Sequence, residues 1–591
     1  MRNKQLAKIF SEIFLLLEME GGLPFRHLAY SRVAEVLEGT EMDVKDVYEK
    51  EGRKGIEAIP GVGKDIADKI IEYLKTGRVR YYEDYKKKMP VDISELVSVE
   101  GVGPRTVKSL WQELGVKNLK DLEQAAKKNK IAPLFGFGEK TEKNILESIK
   151  FLKRSHGRFR LDEIIPKAKE IENRLKLLPE VGKISVAGSL RRMKETIGDV
   201  DFLTLVRKTK ECPTDKEAVQ KVMNYFVSVP GVIKIWGKGG TKASIKLEEG
   251  FDCDLRIVHE DSFGSALQYF TGSKEHNIAL RIIAIKNKMK LSEYGIFKGK
   301  KMIAGWDEES IYRSLGLLWI EPELRENTGE IEASFERRLP SLLGYDSIKG
   351  DLHCHSNWDG GKDSIEDMAK KAMEMGYEYI GISDHTKFLK IENGLDEKRL
   401  SEQRVEIDNL NAKFSRSMRD QPLAGKFKIL QGAEVNILND GSLDIKDEAL
   451  AKLDYVIAGV HSGHKMEKKE MTERIIKAMK NPYVKILSHP TGRILKKRDE
   501  YQCDFDRILR SAKETNTILE INSSSYRLDL KDTNIRKAKE AGVKMVINTD
   551  SHNKEQMDIM EFGIAQARRG WAEEKDIINT QPLKELLNNF K

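Results

Sequence analysis

The sequence predicts a multidomain chain with an all-α front, an α+β middle and a C-terminal α/β part built from βα units. Three observations predict it. Residues 1–155 carry helical patterns and no convincing alternating strand. Short apolar runs at 184–187, 200–206, 243–247 and 255–258 read as strands, with a helix over 215–227 between them. Beyond residue 350, short apolar strands alternate with helical stretches, the rhythm of a parallel sheet or barrel.

Length and composition bound the rest. The 591 residues correspond to about three to five domains. Hydrophobic residues make up 39% and charged residues 34%, enough for several cores. No run approaches the roughly 20 apolar residues of a spanning helix, and no signal peptide is expected. Four cysteines (Cys212, Cys253, Cys354, Cys503) form no CxxC pair. That excludes a cysteine-zinc finger and a disulfide scaffold, and a reducing, cytoplasmic setting is expected. The net charge is +8. Residues 101–160 hold 14 basic and 6 acidic side chains, so that segment carries the whole excess. A basic stretch in a balanced chain fits either a polyanion partner or a solvated lysine-rich surface.

The front contains an internal repeat. Ile59-Pro60-Gly61-Val62-Gly63-Lys64, Val99-Glu100-Gly101-Val102-Gly103-Pro104-Arg105 and Leu134-Phe135-Gly136-Phe137-Gly138-Glu139-Lys140 each separate two helical stretches. Two glycines one residue apart permit a tight turn and close approach to a ligand. The following helix then offers its first amides to an anion. Lys64, Arg105 and Lys140 stand beside these turns. The third copy, with Phe135 and Phe137, is less regular and is expected to pack internally. Lys69 falls on the helix after the first turn, either as a surface charge or as an amine able to form a Schiff base.

In the middle, Gly188-Ser189-Leu190-Arg191-Arg192 ends one strand, and Asp199-Val200-Asp201 opens another. Acids two apart on a strand project from one face. Asp254 is expected to join them from a neighbouring strand. Three clustered carboxylates need cations, and a pair of divalent ions is the arrangement for in-line phosphoryl transfer. The Gly188-Ser189 turn and the arginines suit a phosphate chain.

Seven of the 11 histidines follow residue 350. His353 and His355 share a face. His385, His461, His489, Asp550 and His552 follow strand ends, and Glu434 is expected at the end of a strand over 430–435. Such a ring of nitrogen and oxygen ligands suits several zinc, manganese or iron ions. His464 is expected to be a non-ligand. Residues 321–349, rich in proline, glycine and charge, read as a linker.

The hairpins resemble the helix-hairpin-helix motif. The Gly-Ser turn and acid pair resemble the nucleotidyltransferase superfamily. Tyr269-Phe270-Thr271-Gly272-Ser273, followed by Asn277 and Arg281, resembles family X DNA polymerases, the group of polymerase beta. The histidine pattern is similar to the polymerase-and-histidinol-phosphatase (PHP) domain. The domain order is that of bacterial and archaeal family X enzymes, and the resemblance spans nearly the whole chain.

The resemblance implies an all-α helix-hairpin-helix N-terminal region, an α+β nucleotidyltransferase palm with thumb, and a C-terminal α/β PHP barrel of distorted TIM-like form. It places a DNA-binding domain over 1–85, fingers over 86–155, palm over 156–260, thumb over 261–325, linker over 326–349 and PHP domain over 350–585. Asp199, Asp201 and Asp254 would hold magnesium or manganese, and Asp254 would receive the primer hydroxyl proton. Gly188, Ser189, Arg192 and Arg158 would serve the triphosphate. Tyr269, Phe270 and Gly272 would select the sugar, while Asn277 and Arg281 would touch the new base pair. Thr241 and Lys242 would contact the primer, and the glycine hairpins would grip DNA phosphates. Lys69 falls at the family's lyase position.

In the PHP part the implied ligands are His353, His355, Asp359, His385, Glu434, His461, His489, Asp550 and His552, holding two or three manganese, zinc or iron ions. The family's aspartate after the first histidine pair stands one residue later than Asp359. The implied activity is gap-filling DNA synthesis in repair from dNTPs, with 3′–5′ exonuclease, abasic-site endonuclease or 3′-phosphatase chemistry in the PHP part. A soluble monomer is expected. The rival reading is a PHP-type phosphatase whose front half only binds DNA.

Overall fold

In the computed structural model the described residues are 2–21, 24–39, 43–59, 61–99, 101–155, 157–417 and 427–590. Two hairpin residues, Pro60 and Glu100, lie outside them. The chain forms two compact units, residues 1–156 with 496–498, and residues 157–495 with 499–591.

The described part of the first unit through residue 155 is helical, as expected, running from Arg2–Glu20 to Glu139–Ser155. Its helices begin with recognisable stops and starts. Asp43, Asp92 and Asn118 cap the helices that follow them through side-chain oxygens, and Gly77 and Gly115 end helices in the left-handed conformation. Two apolar clusters hold it, one around Phe10, Tyr30 and Ile70, the other around Leu96, Leu110 and Ile149.

The second unit opens with a five-stranded mixed sheet. Its order is Val181–Val186, Asp199–Val206, Asp252–Val258, Lys242–Leu247 and Val232–Lys238. Only the Asp199 and Asp252 strands run parallel to each other. Val200, Phe202, Cys253, Leu255 and Ile257 alternate inward to a core shared with helices Leu161–Lys176 and Asp215–Val227. The other face packs at its Leu203 end against helix Phe263–Thr271 and is open at the end that carries exposed Asp199. A second small sheet, Lys290–Ser292, Gly295–Lys298 and Lys301–Ala304, packs with helices Lys274–Lys286 and Glu308–Ser314.

The C-terminal part contains two all-parallel sheets. One holds Gly350–Cys354, Tyr379–Ile382 and Lys428–Gln431; the other runs from Glu434–Asn436 through Val456–Gly459, Val484–Leu487 and Ile518–Asn522 to Met545–Asn548. Nearly all their residues are buried, because helices cover parallel sheets; hence the continuous apolar runs. Single parallel bridges, His385 to Glu434 and Cys354 to Ser551, join the two sheets. The expected 430–435 strand is two strands. Lys428–Gln431 ends before Gly432, and Glu434 starts the next strand.

The segment expected as a linker is built into the fold. Residues Glu330–Phe335 form a helix, and fully buried Glu330 accepts hydrogen bonds from His276 Nδ1 (2.7 Å) and from the Asn327 and Thr328 amides. Fully buried Arg325 pairs with Glu308 at 2.6 Å. Proline, glycine and charge signalled a break in regular structure there, but the charges are satisfied inside. The core beneath the five-stranded sheet also takes in Leu528 and Phe562 from the C-terminal part. Arg569, buried, joins three elements: it donates to Asp532 (2.6 Å), Glu326 (3.1 Å) and the Arg192 carbonyl (3.0 Å).

Replacing Arg569 by Ala removes the arginine paired with partly buried Asp532 and one of the two arginines on Glu326, which keeps Arg192. Arg569→Ala is expected to cost about 3–5 kcal/mol in denaturant unfolding of the second unit, with Arg569→Lys recovering only part. A loss below about 1 kcal/mol would show that the contact is idle.

Candidate active sites: an acid-faced sheet and a histidine cluster

The three hairpins share one backbone. Gly61, Gly101 and Gly136 have φ of +82°, +83° and +81°. Val62, Val102 and Phe137 each donate an amide to the carbonyl three residues back, at Ile59, Val99 and Leu134. Gly63 and Gly103 cap the following helices in extended conformation, and Gly138 accepts the Glu142 amide. A Cβ on Gly63, Gly103, Gly136 or Gly138 would meet nothing within 4 Å, so each turn lies open to a ligand. Lys64, Arg105 and Lys140 are exposed. The third copy departs from expectation. Its turn is regular, Phe137 joins the core, and Phe135 projects fully into solvent.

Lys69 is no surface charge. It is buried on helix Lys64–Thr76, pairs with Asp65 at 2.7 Å and sits 4.7 Å from the Tyr81 ring centre and 5.8 Å from that of Tyr30.

On the open face of the mixed sheet, register brings Asp199 opposite Asp252 and Asp201 opposite Asp254. The alternation that buries Val200 and Cys253 turns all four acids outward. Gly188, at φ +64°, makes room for them: a Cβ there would lie 2.4 Å from Asp201 Oδ2. Burial first, then the Asp199 and Asp254 charges, push the Asp201 carboxyl up to about 7. Burial and Asp254 also raise Asp199. Asp254 is held by Lys242 at 2.7 Å, and the trio is not among the donor sets converging within 4.8 Å. Crowded carboxylates on an open face suit divalent cations.

Around this face stand the other expected residues. Ser189 is half-buried in the short helix Gly188–Arg191. Arg158 donates to Thr196 Oγ1 at 2.9 Å, and its charge lowers Asp199. Thr241 is exposed at the start of the Lys242 strand. Two arginines differ from expectation. Arg191 forms a two-pronged pair with Glu308 at 2.8 and 2.7 Å. Arg192 pairs with Glu326 at 3.0 Å and donates to the Thr271 carbonyl, beside Gly272. Both brace the loop instead of standing free for phosphate. Tyr269 and Phe270 meet edge to face, and Arg256 lies over Phe270. Asn277 accepts from Gln268 and donates to the Tyr269 carbonyl, and Arg281, a turn later on the same helix, donates its Nε to the Asn277 carbonyl at 3.3 Å.

The C-terminal cluster centres on Glu434, which begins its strand. Its Oε2 lies 3.3 Å from His353 Nε2, 3.8 Å from His355 Nε2 and 2.9 Å from His385 Nδ1. Its Oε1 lies 3.2 Å from His461 and 2.9 Å from His489. Asp550 Oδ1 is 3.3 Å from His355 Nε2 and 3.6 Å from His353 Nε2. His552 stacks on His355, rings 4.1 Å apart. His489 and Asp550 adopt left-handed backbone, φ +27° and +57°, an uncommon conformation concentrated at functional sites. His464 meets Tyr501 edge-on, outside the cluster.

Electrostatics follow from this crowding. Burial opposes ionisation, yet the imidazoles hold Glu434 and Asp550 well below the ordinary carboxylate range. Carboxylates outweigh burial to raise His353 and His355. Burial pushes His552 down to about 4, with the His355 charge adding to it. His353 Nε2, His355 Nε2, His385 Nδ1 and Glu434 Oε2 are buried without hydrogen-bond partners. Four orphaned ligand atoms aimed together fit divalent cations, and each of the four convergent donor sets among the described residues includes at least one of these residues.

Asp359, expected as a ligand, converges with His355 and Asp384 in one donor set, and both of its oxygens also accept hydrogen bonds. Its Oδ2 accepts from His355 Nδ1 (2.7 Å) and the His385 amide (2.8 Å), and its Oδ1 from the Gly361 amide (2.9 Å). Glu520 does the same for His353, accepting from Nδ1 at 2.7 Å. Each carboxylate fixes a ring so that Nε2 faces inward. Sequence reading missed Glu520. An acid in the middle of the buried strand Ile518–Asn522 was the available signal.

Family models match along the chain: a helix-hairpin-helix domain at residues 1–79, a SAM-like helix-hairpin-helix tandem at 93–150, a DNA polymerase beta thumb at 266–326 and a PHP domain at 351–524. Together they define a polymerase-beta-like framework joined to a PHP domain. A Bacillus subtilis (strain 168) protein named DNA polymerase/3′-5′ exonuclease PolX is 35% identical over 590 residues, 99% of each chain. A stretch of 178 residues is 34% identical to a probable phosphatase of Thermoanaerobacter sp. (strain X514), covering 28% of this chain and 69% of that protein. The chain belongs to the family X DNA polymerases that carry a C-terminal PHP domain.

Two outcomes are expected from this geometry. Asp201 has a raised folded-state value, so its protonated form favours folding; that contribution is full below pH 4 and fades as pH rises through about 7. In chelator, Asp201→Asn therefore raises Tm at pH 8 by about 2–4 °C or more, and far less at pH 5. Magnesium should cancel the gain; equal shifts at both pH values would contradict the charge account. Second, Glu520→Gln should weaken metal binding in the histidine cluster about 10–100-fold, read by calorimetric titration of the metal-stripped protein. An unchanged affinity would leave Glu520 a packing residue.

Proposed function

We propose that the chain extends DNA strands in short gaps during repair and trims 3′ ends in its PHP part. The observation that carries the reading is the outward cluster of Asp199, Asp201 and Asp254 beside the Gly188 turn, in a chain of this family. In this reading a pair of magnesium or manganese ions held by the three acids would neutralise the charge that develops as a primer hydroxyl displaces pyrophosphate. Asp254 is the carboxylate that takes the hydroxyl proton. Ser189 and the open amides of the Gly188 turn receive the triphosphate, with Arg158 at its edge. Arg192 reaches phosphate only by leaving Glu326, so it is a group that rearranges on substrate binding. Tyr269 to Gly272 limit the sugar, and Asn277 with Arg281 line the base-pair edge.

The exposed hairpin glycines, with Lys64, Arg105 and Lys140, grip the backbone without reading sequence, so binding falls steeply with salt. Lys69, between two tyrosines and beside Asp65, is a candidate lyase nucleophile: deprotonated, its Nζ would attack an abasic-site aldehyde.

In the PHP part, manganese, zinc or iron held by His353, His355, His385, Glu434, His461, His489, Asp550 and His552 would supply an activated water for phosphoester hydrolysis. Asp359 and Glu520 orient the imidazoles. The reading commits to 3′–5′ exonuclease. The match to a probable phosphatase keeps 3′-phosphate and abasic-site cleavage as further arms of the test.

Paired variants test the proposal on one labelled, one-nucleotide-gapped DNA. Asp199→Ala with Asp201→Ala should lower extension about a thousandfold, the size of several kcal/mol of lost transition-state stabilisation, and spare 3′ degradation. His353→Ala with His355→Ala should do the reverse. Undiminished extension in the first pair would end the polymerase assignment.

A further inference from the structure

The palm's edge strand, Val232–Lys238, is unusual in having no buried residue. It nevertheless carries Trp236, half-exposed. The indole is not loose. Its Nε1 donates to Asp252 Oδ1 at 2.9 Å, which draws the ring back across the Lys242 strand towards the acid face. Asp252 stands opposite Asp199 in the sheet register. The ammonium of Lys234 lies 3.7 Å from the ring centre and that of Lys246 lies 6.0 Å away. Over residues 232–247 the chain has four lysines, Lys234, Lys238, Lys242 and Lys246, and no acid.

An exposed aromatic anchored by a hydrogen bond, with lysine cations at its ring and two strands from Asp254, is the composition of a base-stacking platform. Two strand spacings are about 10 Å, roughly three base rises along a nucleic acid. A protein strand adding to this edge is disfavoured. Register breaks between Val232 and Lys234 and between Ile235 and Gly237 interrupt the ladder, and lysines line it.

We propose that Trp236 stacks an unpaired base of single-stranded DNA near the palm's acids, with Lys234 and Lys246 meeting the flanking phosphates. The inference rests on the DNA-extending reading and adds to it a binding residue for single strands.

The test uses the full-length protein in chelator, so that no metal-dependent chemistry occurs, and a 5′-labelled oligothymidylate followed by anisotropy. Trp236→Ala should weaken binding about tenfold, and Trp236→Phe, which keeps a stacking face, should stay within about threefold. Affinity for blunt duplex should change less than about twofold in both. In parallel, oligothymidylate should quench tryptophan emission in the wild type, and most of that quench should vanish in Trp236→Phe. This second readout holds even if the alanine variant folds poorly. Equal affinities of wild type and Trp236→Ala, equal losses in both variants, or a quench that survives in Trp236→Phe would overturn the platform. Wild-type extension of a gapped primer separates the two claims: a platform failure with extension intact leaves the polymerase reading standing, whereas absent extension removes that reading.

Discussion

Carboxylates from adjacent parallel strands cannot all stay ionised beside one another unless a cation stands among them. Asp199, Asp201 and Asp254 meet this constraint on the open face of the mixed sheet. Their mutual repulsion, added to burial, lifts Asp201 to about 7. Gly188 gives way beside them, Lys242 neutralises one of them, and Arg158 acts on another. A purely structural sheet has no use for so costly an arrangement. Divalent charge bound among them would offset that cost, which is why the proposed phosphoryl transfer is placed there.

The C-terminal part meets the opposite form of the problem. Imidazoles outnumber carboxylates at its centre, and Glu434 touches five of them. Behind that layer Asp359 and Glu520 hold the rings by their far nitrogens. Positions of ligands are thereby set by packing, since these carboxylates are themselves buried. Left-handed backbone at His489 and Asp550 is a local cost that the surrounding strands sustain.

The five-stranded mixed sheet, the thumb match and the PHP match share one compact unit. Arg569 ties the Arg192 loop to the C-terminal part, and Arg493, four residues past His489, pairs with Glu195 of the same loop at 2.7 Å. The loop between the Gly188 turn and the acid strand is thus held from the PHP side. Residues 326–349 belong to this packing: Glu330 closes on His276, and Arg568 donates to the Leu343 carbonyl.

The sequence by itself determined the segment types and most candidate ligands, because both rest on local rules. Alternation set Asp199 and Asp201 on one face, paired glycines marked the hairpins, and apolar runs marked parallel strands. Tertiary structure decided what local rules cannot carry. It engaged Asp359 with His355 Nδ1 and the His385 amide and set it beside Asp384, an acid the sequence reading did not single out. It buried Lys69 between tyrosines and left Phe135 in solvent. It bound Arg191 and Arg192 to Glu308 and Glu326, more than 100 residues away along the chain. Which charge finds which partner depends on long-range packing, and no window of sequence contains both halves of such a pair.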